Sequence, residues 1–210
     1  MDRRHKFIVS DKHHFIYYEI QKCATETMRQ YFLGDKNHNS NPNKYGAIRI
    51  SGGRSKGEMY NTLAYSQFTF VRNPWERVVS AWLSKFVFYF DPDHPDLPGI
   101  RDPELNLETT FDEFVRFIVK TSDKYSDCHF KSQHRFIPEE NIEIGRVENL
   151  IEDFTRIRLK LGLPIDNVPY ENVTPGKAKK HWREYYTDEY KHLVASRYAK
   201  DIELYGYTFE

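Results

Sequence analysis

Three times along this 210-residue chain, a run of β-forming residues gives way at once to a helical pattern. Phe15 to Ile20 (FIYYEI) leads into Gln21-Lys22-Cys23-Ala24-Thr25 and a helical stretch to Leu33, stopped by Gly34. Ser66 to Val71 (SQFTFV) leads into Arg72-Asn73-Pro74 and an apolar face at Trp75, Val78, Val79, Trp82 and Phe86. Ile142 to Val147 is followed by a helix from Leu150 to Leu161, stopped by Gly162. Apolar residues at this spacing make one helical face, and short aromatic or β-branched runs make buried strands. The alternation predicts an α/β fold with a parallel sheet covered on both faces, in three layers.

Local signals fill in the rest. Asn73 can cap the helix that follows it, and Pro74 suits the first turn, where no amide donor is needed. Thr110 and Glu113 form a capping box for a helix to about Lys120. Ala47 to Ser51 reads as a further short strand, and one C-terminal helix starts near Thr187 and runs through Ile202 to Gly206. Asp35 to Lys44 is a polar loop. Asp91 to Thr109, acidic and holding four prolines, is a long surface loop. No repeat or low-complexity tract interrupts this pattern, so residues 1–210 are expected to form a single domain.

Charge narrows the function classes. The 31 basic residues equal the 31 acidic ones, and a general nucleic-acid binder usually carries a basic excess. A local anion site remains compatible with neutrality. Cys23 and Cys128 alone are no disulfide framework. Met1 to Ser10 begins charged, no signal peptide is visible, and no stretch approaches the roughly 20 apolar residues of a membrane span. The expectation is a soluble protein of a reducing cytoplasm.

Two strand-to-helix turns carry the chemistry. A helix N-terminus has unpaired amides and partial positive charge, so Lys22-Cys23-Ala24-Thr25-Glu26-Thr27 can hold a phosphate, with Lys22 and the two hydroxyls adding donors. The glycine spacing of a nucleotide-triphosphatase phosphate loop is absent. In Val71 to Trp82, Arg72 stands at the strand end, which is the ligand edge of open α/β sheets. Ser80, about two turns on, falls on the same side, and an arginine fork suits a phosphate. Arg77 is a third anion contact or a salt-bridged residue. Cys128, His129 and His134 lack zinc-ligand spacing, and adjacent His13 and His14 do not share a strand face, so no metal is expected. Lys177, Lys179 and Lys180 form a solvated face or a loop that touches donor phosphates or an anionic acceptor.

FVRNPWERVVSAW resembles the 3′-phosphate-binding segment of sulfotransferases that use 3′-phosphoadenosine 5′-phosphosulfate (PAPS), in particular the carbohydrate and related bacterial group. IQKCATETMRQYF is similar to that group's 5′-phosphosulfate loop. HFKSQHRFI, GRVENLIEDF and the last 26 residues extend the resemblance over nearly the whole chain. It implies a fold related to nucleotide kinases in its phosphate loop, and transfer of a sulfonate to an acceptor hydroxyl, with a carbohydrate favoured and a small molecule as the alternative. Lys22 would contact the phosphosulfate, Cys23 to Thr27 would hold the 5′-phosphate, and Arg72 and Ser80 would hold the 3′-phosphate. The product 3′-phosphoadenosine 5′-phosphate (PAP) would leave without help from a metal.

Two departures stand out. The group usually has Thr or Ser where Glu26 stands, and a carboxylate there repels phosphate unless it turns away along the helix. Relatives also often carry a His or Glu base between the two motifs, on or after the second strand, where this chain reads IRISGGRSKGEMYN, with no His and Glu58 as its only carboxylate. His129, with its neutral-range titration, is the other base candidate. A kinase would need a metal-binding set around a phosphate loop that is not found here. A catalytically inactive nucleotide- or glycan-binding module is the remaining alternative.

Overall fold

The computed structural model describes residues 6–34, 45–51, 65–87, 104–138, 141–168 and 180–210. The chain divides into two compact units, one of Met1–Val71 with Arg135–Gly176 and one of Arg72–His134 with Lys177–Glu210. Glu58 and Lys177 lie outside the described residues, as do most of the two predicted polar and acidic loops.

The first unit holds a five-stranded sheet in the order β3-β1-β2-β4-β5. Its strands are β1 Lys6–Ser10, β2 Phe15–Tyr18, β3 Ala47–Ser51, β4 Ser66–Val71 and β5 Ile142–Arg146. β2, β4 and β5 run parallel, as the alternation predicts. β1 corrects the expectation of a purely parallel sheet, because it runs antiparallel to both β2 and β3. The physical reason is the connection. Residues 11–14 between β1 and β2 are too few for a crossover, which takes a dozen or more, so the chain returns as a hairpin. β1 itself is not apparent in the sequence, since KFIVS is short and follows a charged tail.

Side-chain alternation gives this sheet two apolar faces. Phe15, Tyr17, Phe68 and Phe70 are buried on one of them. Helix α1 (Thr25–Leu33) and helix α4 (Leu150–Lys160) both pack there. Phe32 lies 4.8 Å from Phe15, Phe154 lies 6.0 Å from Phe70, and the two helix rings meet at 5.8 Å. The opposite face clusters Phe7, Val9, Ile16 and Tyr18 with Ile48, Ile50, Tyr65 and Ile142. As predicted, Gly34 and Gly162 end their helices in the left-handed conformation that glycine adopts without strain.

The second unit is helical. It contains α2 (Pro74–Trp82) continued by a π-helical turn (Leu83–Val87), α3 (Phe111–Lys120), α5 (Asp188–Arg197) and α6 (Ala199–Tyr205). The predicted caps form. The Asn73 side chain accepts from Trp75 N, and Thr110 and Glu113 close a reciprocal capping box. Thr187, near which the last helix is expected to start, caps α5 as well. The single C-terminal helix expected from Thr187 to Gly206 is instead two. Tyr198 leaves the helical region (φ −112, ψ 25), and its buried hydroxyl donates to Phe130 O at 2.5 Å. The core joins Phe114, Phe117 and Ile118 of α3 to Phe130, Val194 and Tyr198. No helix among the described residues is long and apolar enough to cross a membrane.

One glycine in the sheet is there for space. A Cβ on Gly145 would stand 2.4 Å from Phe70 Cε1 on the neighbouring strand. Gly145→Ala is therefore expected to destabilise the fold by about 1–3 kcal/mol through overpacking, read as a lower denaturant midpoint. An unchanged midpoint would contradict the packing described.

Candidate functional site

The turn from β2 into α1 is built without glycine. Lys22 (φ 69) and Ala24 (φ 57) both adopt the left-handed conformation, which costs a residue with a Cβ on the order of 1 kcal/mol. Two bonds pin the turn, from Cys23 N to Ile20 O at 3.1 Å and from Thr25 Oγ1 to Ile20 O at 2.7 Å. The helical ladder then begins with Met28 N to Ala24 O. The amides of Thr25, Glu26 and Thr27 consequently lie outside it, at the positive end of the helix. Lys22 to Thr27 thus make one strand-to-helix turn, with Cys23, Thr25 and Thr27 buried and Lys22, Ala24 and Glu26 half-buried. The Thr25 hydroxyl proton is committed to Ile20 O, so its first task here is to hold the turn.

A buried ion cluster backs this turn. The Glu19 side chain is fully buried and accepts two bonds from Arg29, at 3.0 and 2.5 Å, and two from Arg49, at 2.8 and 2.9 Å. Burial pushes the Glu19 carboxyl up, but the two guanidinium groups more than offset it and hold the group below the ordinary glutamate value. Arg29 also pairs with Glu26. That contact gives the Glu26 carboxylate a counter-charge one turn along the helix. Glu19, Arg29 and Arg49 had no part in the sequence reading. The three-residue spacing of Glu26 and Arg29 on a helix was a usable signal, whereas the reach of Arg49 from β3 was not.

In the helical unit, Arg72 is gripped through its backbone. Arg72 N donates to Gln133 Oε1 at 2.9 Å, and Gln133 Nε2 donates to Arg72 O at 2.8 Å. Gln133 is completely buried. Its own amide donates to Asp201 Oδ2 at 2.6 Å, and Asp201 also accepts from His134 N at 3.0 Å and contacts His134 Nδ1 at 2.6 Å. The next residue is secured as well, since Asn73 Nδ2 donates to Thr208 O at 2.8 Å. A backbone this constrained fixes where the Arg72 guanidinium starts, and Glu76 one turn on contacts that guanidinium at 2.9 Å. Ser80 is half-buried on the same helix. Gln133 and Asp201 are positioning residues that the sequence did not single out, because their partners are 61 and 68 positions away.

Arg77 belongs to the scaffold. It is 2% exposed and donates to Lys131 O at 2.8 Å and Cys128 O at 3.2 Å. Both carbonyls belong to the segment that carries His129. In that segment the His129 Nδ1 stands 2.5 Å from Asp127 Oδ1. Cys23 and Cys128 are not joined in a disulfide.

Removing the Gln133 amide leaves two backbone groups of Arg72 without their partners. Gln133→Leu is expected to cost about 1–3 kcal/mol, measured by chemical denaturation. A variant as stable as the parent would show that the grip on Arg72 is incidental.

Comparison with known proteins shows the family. The model of the sulfotransferase family matches residues 5–208. The chain is 23% identical to carbohydrate sulfotransferase 10 of Xenopus laevis, over 96% of this chain and 67% of that protein. No solved structure matches. The chain belongs to the sulfotransferase family.

Proposed function

We propose that the chain transfers a sulfonate from PAPS to a hydroxyl of a carbohydrate acceptor and releases PAP. The observation that carries this reading is the pair of strand-end elements, each suited to an anion. One is a strained turn presenting helix amides beside Lys22, and the other is an arginine whose backbone is held by Gln133 and Asp201. The family membership makes PAPS the donor that fits two phosphate-binding elements. The name of the Xenopus relative favours a carbohydrate over a small-molecule acceptor. The kinship of the Lys22 turn to a nucleotide-kinase phosphate loop is part of the same proposal.

In this mechanism the 5′-phosphosulfate lies at Cys23 to Thr27, and Arg72 with Ser80 takes the 3′-phosphate. The acceptor oxygen attacks sulfur, a new S–O bond forms, and the bond from sulfur to the bridging oxygen breaks in line. Negative charge collects on that bridging oxygen, where Lys22 stabilises it. His129 takes the acceptor proton.

Turnover assays separate the roles. With PAPS and a panel of p-nitrophenyl glycosides, PAP release is the readout. Lys22→Ala is expected to lower kcat about a hundredfold at saturating donor. Unchanged kcat with a raised KM would reduce Lys22 to a binding residue. Arg72→Ala is expected to raise the KM for PAPS roughly tenfold to a hundredfold, the loss of one charged hydrogen-bonding group. An unaltered KM would remove Arg72 from the donor site. PAP binding without any turnover would favour the inactive nucleotide-binding alternative.

A further inference from the structure

The segment Asp127-Cys128-His129 holds a cluster that the mechanism above uses only in part. Asp127 Oδ1 accepts from the backbone N of His129 at 3.0 Å and meets its Nδ1 at 2.5 Å. The Asp127 side chain is 8% exposed and the imidazole 18%. Cys128 Sγ lies 3.6 Å from both the carboxylate and the imidazole nitrogen. On the π-helical turn, Lys85 is buried and interacts electrostatically with Asp127 and Cys128. Insertions of this helical type gather at functional sites. From α2, Arg77 binds the backbone carbonyls of Cys128 and Lys131. At the far end of the segment, Asp123 accepts from Ser132 and from Arg197.

Two readings of the cluster compete. The carboxylate, thiol and imidazole ligand atoms all fall within 4.8 Å of one another, as a metal site requires. Against a cation stands the ammonium of Lys85, which adds like charge beside two of the three groups. The carboxylate and imidazole also already satisfy each other at hydrogen-bond distance. The alternative needs no added ion. A carboxylate accepting from Nδ1–H fixes the imidazole in one tautomer and leaves Nε2 as the basic nitrogen. The same carboxylate favours the imidazolium that forms when Nε2 takes a proton. Lys85 in turn favours the ionised carboxylate.

We infer that Asp127, supported by Lys85, is the positioning residue of the acceptor-side base: it holds His129 with Nδ1 protonated so that Nε2 receives the acceptor proton. This rests on the sulfotransferase reading with His129 as base. In the step itself the acceptor O–H bond breaks, its electron pair forms the new O–S bond, and the proton passes to Nε2. Asp127 keeps its charge throughout.

The test has one arm that does not depend on activity. Nitrogen-15 NMR of the imidazole in the wild-type chain should show the neutral His129 protonated at Nδ1. Asp127→Asn should lower the His129 pKa by about one unit, because a neighbouring charge that favoured the imidazolium is gone. In turnover with PAPS and the fastest p-nitrophenyl glycoside, the same variant should lower kcat at least tenfold. The acidic limb of its rate profile should move to lower pH, since the base loses its proton more readily. Its affinity for PAP, read by calorimetry, should not change. Asp127→Glu, which restores a carboxylate, should recover part of the rate and return the acidic limb toward the wild-type position. A wild-type imidazole protonated at Nε2, or an Asp127→Asn variant with unaltered kcat and acidic limb, overturns the inference. So does His129→Ala at the wild-type rate. Failure of the wild-type chain to bind PAP would count instead against the donor assignment.

Discussion

A buried glutamine amide organises the helical unit. Gln133 pairs with both backbone groups of Arg72, and Asp201 pairs with Gln133. Fixing the Arg72 backbone removes the backbone share of the entropy that an anion would otherwise have to freeze out on binding, and leaves the side-chain share. The same carboxylate of Asp201 holds His134. The residue after Arg72 is tied to the C-terminal segment through Thr208. The first turn of α6, through Asp201, and the C-terminal segment, through Thr208, are therefore part of what holds the Arg72 backbone.

The turn at Lys22 follows a different logic. It holds two left-handed residues that are not glycine, and such strain persists only where the surroundings over-determine it. Here the surroundings are two bonds to the Ile20 carbonyl and the ion cluster of Glu19, Arg29 and Arg49. Glu19 is the residue that makes this cluster tolerable, because it gives the buried Arg29 and the half-buried Arg49 a shared counter-charge. Removing one member of such a cluster leaves the others uncompensated, which is why these clusters act together. Glu26, which in isolation looks hostile to phosphate, is drawn into the pairing with Arg29.

What the sequence shows is the local part of this arrangement. The strand ends, the Asn73 cap with Pro74, the Thr110–Glu113 box and the glycine stops at Gly34 and Gly162 all depend on neighbours within a few residues, and all are found. β1 is hidden because five residues behind a charged tail give too little periodicity. Its antiparallel pairing follows from loop length, not from propensity. The break at Tyr198 is set by a hydroxyl reaching Phe130. The conformations of Lys22 and Ala24 leave no compositional trace, since neither residue type favours them. Gln133, Asp201 and Arg49 act across the fold, so spacing could not have picked them out. Glu58 and Lys177 fall outside the described residues.

The proposed function requires the chain to read two phosphates of one nucleotide through separate elements. Its most direct test is calorimetric titration of the unmodified protein with PAP and with adenosine 5′-phosphate, which differ only in the 3′-phosphate. One charged, hydrogen-bonded group is worth about 1.5–3 kcal/mol. PAP is therefore predicted to bind at least roughly tenfold more tightly than adenosine 5′-phosphate. Equal affinities for the two nucleotides would contradict the account.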